Sequence, residues 1–328
     1  EPEWLNSDQI YLNGFSTSLP EHVQLQALRT VPGLGRVRFF RPGYAIEYDF
    51  FHPSQLRASL ETKNVEGLFF AGQINGTSGY EEAAGQGLLA GINAGMRSLN
   101  RAPLVLSRES SYLGVMVDDL ITKDTLEPYR MFTSRAEGRL LLRYSNADQR
   151  LLLYASSFGL LSKEEISLLK KKISITESYI EKTKKTQKPE KINPVLLKRN
   201  EETINQNASL FDILKRPSLK INDFRDLLFF ENDLFEDSYN LHEEAFIEAE
   251  TSIKYEGYIK RQKRQTEKVR SLHNKKIPAD FSYKELSGLS SEAIEKLSQI
   301  KPETLGQAGR VSGITPSDLS VLSVFLFK

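Results

Sequence analysis

Glycine spacing marks the first place in this sequence where chemistry could be done. In Leu68–Gly95, bulky apolar residues at Leu68–Phe70 stop at Gly72. Gly76 and Gly79 then permit a tight loop, and Gly85, Gly87, Gly91 and Gly95 slim the helix that follows. So many glycines after one strand carry an entropy cost, so something requires close backbone approach. A dinucleotide crossing the C-terminal end of the strand and pointing at a helix N-terminus meets that need. A plain glycine-rich contact between helix and sheet meets it too, and spacing alone leaves both open. Glu81 and Glu82 open the helix, where they favour its dipole and would repel a phosphate.

A second chemistry is anion binding. Arg130, Arg135, Arg139, Arg143 and Arg150 share Tyr129–Arg150 with only Glu137 and Asp148 as acids. If Ser134–Glu137 is a capping box, Arg135 and Arg139 lie on one helix face. Such a row suits the phosphates of a folded RNA, and it equally suits ion pairs with Asp118, Asp119 and Glu127. Downstream, Lys254, Arg261 and Lys268 recur every seven residues with Lys260 and Arg264 beside them, one basic stripe along a helix. Tyr255 and Tyr258 interleave, and aromatic rings stack on splayed bases. The alternative is a solvated charged face. Charge contacts alone carry no sequence choice.

Catalytic candidates are fewer. In RPGYAIEYD, Arg41–Asp49, strand alternation sends Tyr44, Ile46 and Tyr48 to one side and Glu47 and Asp49 to the other. Tyr44 could stack or hydrogen-bond, and Glu47 could act as a general base if desolvated. A polar strand edge with Glu47 paired to Arg41 accounts for the same residues. Four histidines, His22, His52, His242 and His273, have no metal-ligand spacing, so no metal site is expected.

These residues need elements to hold them. Leu12-Asn13-Gly14 marks a hairpin, Pro20–Leu28 a short helix, and Val37–Phe40 and Ala45–Tyr48 strands. Beyond Arg101-Ala102-Pro103 helices take over. Asn146 caps a helix through Ser157 that closes at Gly159, and the capping box at Ser162–Glu165 opens a long helix to about Lys185. Lys188–Pro194 breaks it. Asp226–Glu250 holds nine acidic residues and no Lys or Arg, whereas Lys254–Lys276 holds nine basic and two acidic, so two faces with different neighbours are expected. The last segment reads as a compact helical bundle, with Gly288 before one helix and Thr315-Pro316-Ser317-Asp318 starting another. Leu305–Leu322 has a faint helix-turn-helix look around Gly309 and Gly313, but Arg310 is its one basic residue, too little for DNA. Packing or partner docking is the expected role.

The chain has 328 residues, room for about two domains. Basic and acidic residues balance at 44 and 43, so only their distribution informs on partners. Cysteine is absent, which excludes disulfides, thiolate metal sites and a cysteine nucleophile within these residues. No apolar run approaches a membrane span and no signal-peptide pattern opens the chain. The first residue is not Met, the opening reads as a hairpin in progress, and no G-x-G-x-x-G follows an early strand. The expectation is the C-terminal portion of a longer protein.

Five blocks in one order resemble the MnmG (GidA) family of tRNA wobble-uridine modification flavoproteins. They are the glycine segment, RPGYAIEYDFFHP at 41–53, YLGVMVDDL at 112–120, EPYRMFTSRAEGRLLLR at 127–143 and KYEGYIKRQ at 254–262. The likeness is strong over about 1–155 and 250–325 and weak between. It implies α/β followed by all-α: the end of a glutathione-reductase-like FAD/NAD-binding fold joined to a mostly helical C-terminal domain. The implied division is 1–60, the tail of an inserted nicotinamide- or substrate-side domain; 61–100, the last strand and helix of the FAD domain; 101–250, helical; and 251–328, a tRNA- and partner-binding subdomain. Gln73 becomes an FAD contact, with backbone groups at Gly72, Gly79 and Tyr80 as supplements. Arg130, Arg135, Arg139, Lys254, Lys260, Arg261, Arg264 and Lys268 become tRNA contacts. The family reading adds NADH, methylenetetrahydrofolate, the GTPase partner MnmE, a homodimer and a cytoplasmic location. A non-catalytic tRNA- and partner-binding module, without bound FAD, is the rival expectation for this chain.

Overall fold

The computed structural model describes every residue except 46, 124–126, 229–238, 274, 279, 327 and 328; side chains are also undescribed at 239, 240, 265, 266 and 268–273. Two units divide at Asp49 and Phe50. In the first, Pro2 and Ile10 bridge antiparallel around a turn in which Asn6 takes a positive φ of 62°, so the hairpin precedes the expected Leu12-Asn13-Gly14. Helix α1, Glu21–Arg29, carries Gln24, whose buried amide donates to the Gly43 carbonyl at 2.8 Å and accepts from the Gly43 N–H at 2.9 Å. That exchange uses the hydrogen-bonding groups that a strand would supply. The strands expected at 37–40 and 45–48 do not form among the described residues, and Ile46 lies outside them.

The second unit begins with a meander. Leu56 bridges Thr62 and Glu61 bridges Phe69. Among the described residues Leu68–Phe70 therefore contributes one bridged residue rather than a regular strand. Helix α2, Tyr80–Ser98, and helix α3, Tyr112–Lys123, pack Leu89, Ala90, Val117 and Ile121 against Leu56, Leu60 and Leu104. Gly85 gives Leu113 room there: a Cβ would stand 2.4 Å from the end of that side chain.

The next layer is helical: α4 at Ala147–Ser157, α5 at Lys163–Lys184, α6 at Pro189–Lys198, short α7 at Leu210–Ile213, α8 at Arg225–Leu228 and α9 at Tyr239–Lys254. The expected capping box forms, with Ser162 Oγ accepting from the Glu165 N–H at 3.2 Å and Glu165 accepting from the Ser162 N–H at 2.7 Å. After α5 a two-stranded antiparallel ribbon, β1 at Thr186–Gln187 and β2 at Ala208–Ser209, brackets α6. Pro194 sits inside α6 rather than ending it, and Pro189 occupies the first turn, where no N–H is missed. Tyr179, Ile192, Leu196, Leu210, Phe224 and Phe246 form this layer's core.

Helix α10, Glu256–His273, follows α9 across Tyr255, whose N–H still reaches the Thr251 carbonyl at 3.0 Å. The final bundle comprises α11, Ser291–Ile300; α12, Leu305–Arg310; and α13, Pro316–Leu326. It has its own core around Ala293, Leu297, Ala308 and Leu322. Gly309 admits Leu319, which would lie 2.8 Å from a Cβ there, and Gly313 turns at φ 92°. Arg310 faces Asp118 of α3 in a bidentate pair at 2.5 and 2.8 Å, so the one cation of this helical pair is already neutralised.

Candidate cofactor loop and nucleic-acid interface

The loop before α2 is built on two glycines in the left-handed region, Gly72 at φ 79° and Gly76 at φ 69°. Gln86, fully buried on α2, holds it. Its Oε1 accepts from the Gly72 N–H at 2.9 Å and from Asn75 Nδ2 at 3.0 Å, and its Nε2 donates to Thr77 Oγ1 at 2.8 Å. Gly72's N–H is thereby engaged inside the chain, while the Gln73 side chain is exposed. Tyr80 is 90% exposed. The first intrahelical bond of α2 is Ala83 N–H to the Gly79 carbonyl at 2.9 Å, so the N–H groups just ahead of it precede the helical ladder.

Glu82 turns back over this start. Its Oε1 accepts from the Met131 N–H at 2.9 Å and from Arg130 Nε at 3.2 Å. Chiefly the Met131 N–H holds its carboxyl below the usual carboxylate range, with Arg130 adding to the effect. A Cβ on Gly79 would stand 2.0 Å from Glu82 Oε2 and 3.0 Å from Arg130 Nε. Glycine here is demanded by contact, not by φ. Glu82 Oε2 and Asn75 Oδ1 are buried acceptors without a partner.

That inventory tests the flavin dinucleotide implied by the resemblance. An exposed amide, N–H groups ahead of the helical ladder and unpartnered acceptors suit a polyhydroxyl chain or an amide-bearing ring, which offer both donors and acceptors. Two carboxylates in the first turn oppose a pyrophosphate. The loop fits the ribityl and ring portion and does not fit the phosphates. Among the described residues no cluster has the makings of a metal site.

The arginine row separates into scaffold and surface. Asp119, fully buried on α3, accepts from Arg108 at 2.6 Å, Lys123 at 2.8 Å and the Tyr129 hydroxyl at 3.1 Å. Burial, then the Asp119 charge, pushes the Tyr129 phenol well above its usual range. Arg135 stacks on the Tyr129 ring at 4.6 Å and donates to the Arg130 carbonyl at 2.9 Å. Tyr129's own N–H donates to the Gly76 carbonyl at 2.9 Å, which ties this segment to the loop. The helix expected from Ser134 is instead a 3-10 turn, Thr133–Arg135, because both Glu137 oxygens face Arg108 rather than the Ser134 backbone. Arg143 turns inward to Glu248, and Arg150 to the Ser110 and Arg143 carbonyls. Arg130 and Arg139 remain outward, Arg130 with its side chain 58% exposed.

The downstream stripe is also sorted. Lys254 belongs to α9 and pairs with Glu250 at 2.9 Å; Lys260 pairs with Glu256 at 2.6 Å. Arg261 and Arg264 are exposed and, like Arg139, make no ion pair among the described residues. The Lys268 side chain lies outside the described residues. Gln262 Nε2 donates to the Glu137 carbonyl at 2.6 Å, which sets α10 alongside the turn bearing Arg139. The exposed Tyr255 and Tyr258 rings lie 6.4 Å apart on this stretch. Tyr44 and Glu47, in the first unit, are both exposed. Sequence reasoning missed Gln86 as the loop's staple and the reach of Glu82 to Met131. The signal available was an acid and an amide four residues apart in the small-residue opening of the helix, EEAAGQG.

Residues 1–102 match the family described as glucose inhibited division protein A. Residues 163–263 match the tRNA modifying enzyme MnmG/GidA C-terminal helical domain, and residues 265–328 the MnmG/GidA C-terminal helical bundle. The tRNA uridine 5-carboxymethylaminomethyl modification enzyme MnmG of Flavobacterium psychrophilum is 49% identical over 328 residues, covering 99% of this chain and 52% of that protein. That of Christiangramia forsetii is 47% identical, with coverage of 99% and 52%. The form II crystal structure of Aquifex aeolicus GidA superposes with a TM-score of 0.79 at 42% identity, covering 100% of this chain and 51% of that one. The chain thus spans about half the length of the curated relatives it matches. Its fold class is that of GidA, mostly helical, with the end of the cofactor-binding fold ahead of the helical domains. Family matches in chain order, and relatives close to half identical along nearly all of it, place this chain in the MnmG/GidA family of tRNA-modifying enzymes.

Proposed function

We propose that this chain supplies the ring-side cofactor loop and the tRNA-binding surface of an FAD-dependent enzyme modifying C5 of the wobble uridine. The observation that carries the reading is the bonding of the loop and the first turn of α2 to the Tyr129–Met131 segment, which ties the stretch bearing Gln73 and Tyr80 to the one bearing the outward Arg130. Gln73 and the N–H groups of Gly79 and Tyr80 orient the flavin, and bound FAD supplies the electron transfer. Arg130, Arg139, Arg261 and Arg264 hold RNA phosphates, while Arg135, Lys254 and Lys260 chiefly hold the scaffold. The Tyr255 and Tyr258 rings offer stacking faces. In the whole protein NADH reduces the flavin, methylenetetrahydrofolate supplies the one-carbon unit, and the final bundle docks the GTPase MnmE. The working form is a cytoplasmic homodimer. The division proposed is 1–60, the tail of an inserted nicotinamide- or substrate-side domain; 61–100, the last strand and helix of the FAD domain; 101–250, helical; and 251–328, the tRNA- and partner-binding end.

Fluorescence polarisation with a labelled tRNA at two salt concentrations tests the surface. Charge reversal of Arg139, Arg261 and Arg264 together should abolish measurable binding, and every arginine–phosphate pairing removed should flatten the log affinity–log salt slope by roughly 0.7–0.9. Unchanged affinity and slope would remove RNA from the assignment. The 328-residue chain itself should purify colourless, because its loop does not suit the pyrophosphate. Stoichiometric yellow flavin in it would overturn that division of labour.

A further inference from the structure

We infer that Glu82 is a positioning residue that aims Arg130 at an RNA phosphate beside the cofactor loop, an inference resting on the RNA reading of Arg130 above. Its carboxylate is 7% exposed, at the start of a helix, where an acid needs only to sit in solvent to satisfy the dipole. Instead it reaches across to the Met131 N–H and Arg130 Nε. Glu82 engages Nε, neither Nη group is spent on an ion pair among the described residues, and the side chain is 58% exposed, so the Nη edge is the one left to take an oxyanion. Gly79 is the space that permits this, since any Cβ would displace both Glu82 and Arg130. The Tyr129 N–H bond to the Gly76 carbonyl fixes the same segment from its other side. The guanidinium is therefore held against the first turn of α2, and its position follows the loop that carries Gln73.

The sign of one substitution separates positioning from simple electrostatics. Removing an acid near an RNA surface raises local positive charge and on charge alone strengthens RNA binding. Positioning predicts the reverse. With the 328-residue chain and a labelled tRNA carrying a wobble uridine, Arg130→Ala should weaken binding by up to about tenfold near 0.1 M salt, the weight of one phosphate contact. Glu82→Ala should weaken it comparably, and the double variant should be no weaker than Arg130→Ala alone, because both changes remove one interaction. Glu82→Gln retains an acceptor for Met131 and Arg130 and should stay within about twofold of the parent. It also keeps the test open should Glu82→Ala fail to fold. An Arg130→Ala variant that binds normally overturns the RNA reading of Arg130 and the inference with it. Weakening by Arg130→Ala alongside unchanged or tighter binding by Glu82→Ala, or by Glu82→Gln no better than Glu82→Ala, overturns the positioning role alone.

Discussion

At Gly79 the backbone has an ordinary φ of −69°, so alanine is conformationally acceptable and its effect is a pure test of contact. A methyl group there meets Glu82 Oε2 at 2.0 Å and Arg130 Nε at 3.0 Å. The clashing Oε2 shares its carboxylate with the Oε1 that holds the Met131 N–H and Arg130, so moving it strains both bonds. Gly79→Ala should therefore destabilise the chain by about 1–3 kcal/mol, the usual range for overpacking, and a thermal melt reads it. A melt unchanged from the parent would mean that Glu82 is free to move. The residue scale also shows where sequence reading stopped. The turn glycines Gly72 and Gly76 are legible because an apolar run that stops at glycine is a local signal, and both take a positive φ. Glu82 read only as a first-turn acid because its partners lie 48 and 49 residues downstream. Arg135 read as a phosphate ligand because nothing local shows its stacking on Tyr129 or its approach to Asp119 at 3.8 Å.

Helix starts were the elements most readable in advance, since a cap and its partner are three residues apart. The box at Ser162 and the start at Thr315–Asp318 both formed, with Thr315 Oγ1 accepting from the Asp318 N–H at 3.2 Å. The box at Ser134 failed for a tertiary reason: Arg108 claims Glu137 and Gly138 follows at once. Asp318 also does more than cap α13. Its Oδ2 accepts from the Thr315 N–H at 3.0 Å and hydroxyl at 2.5 Å, and its Oδ1 accepts from the N–H of Ser290, the cap of α11. These bonds, the Ser290 N–H foremost, hold its carboxyl down at about 2. A pKa depressed by folding contributes stability present above the unfolded value of 3.8 and lost as pH falls from there to about 2. The amount is about 2 kcal/mol. Denaturant midpoints of the parent and Asp318→Asn should therefore converge between about pH 4 and 2, with the parent ahead above that window. A constant gap across the window would show that the charge of Asp318 adds nothing to its hydrogen bonds.

Across the whole molecule the final bundle presents a different balance from the rest. Its core, around Ala293, Leu297, Ala308 and Leu322, is its own, while the groups joining it to α3 and the meander include charged ones. Arg310 forms its fork with Asp118, and Lys63 donates to the Ser54 carbonyl at 2.7 Å and to the Ile300 carbonyl at the end of α11 at 2.5 Å. Burial pushes the Lys63 ammonium down to about 8, a sign that this joint is shielded from water. Breaking one partner of a shielded pair should open the joint without melting what lies on either side, provided each side has its own core. Asp118 would not be stranded, since Arg108 stays within 3.2 Å of it. Arg310→Ala should therefore weaken docking by about 1–2 kcal/mol, less than the loss of a fully buried pair. Hydrogen exchange distinguishes the outcomes. Amides of α12 and α3 at the joint should exchange about five- to thirtyfold faster, and those inside α11 and α13 should keep their protection. Uniform loss of protection through α11, α12 and α13 would show that the bundle needs α3 to stay folded. The proposed partner-docking end could then not move as a separate body, and Arg310 would be a folding residue rather than a joint.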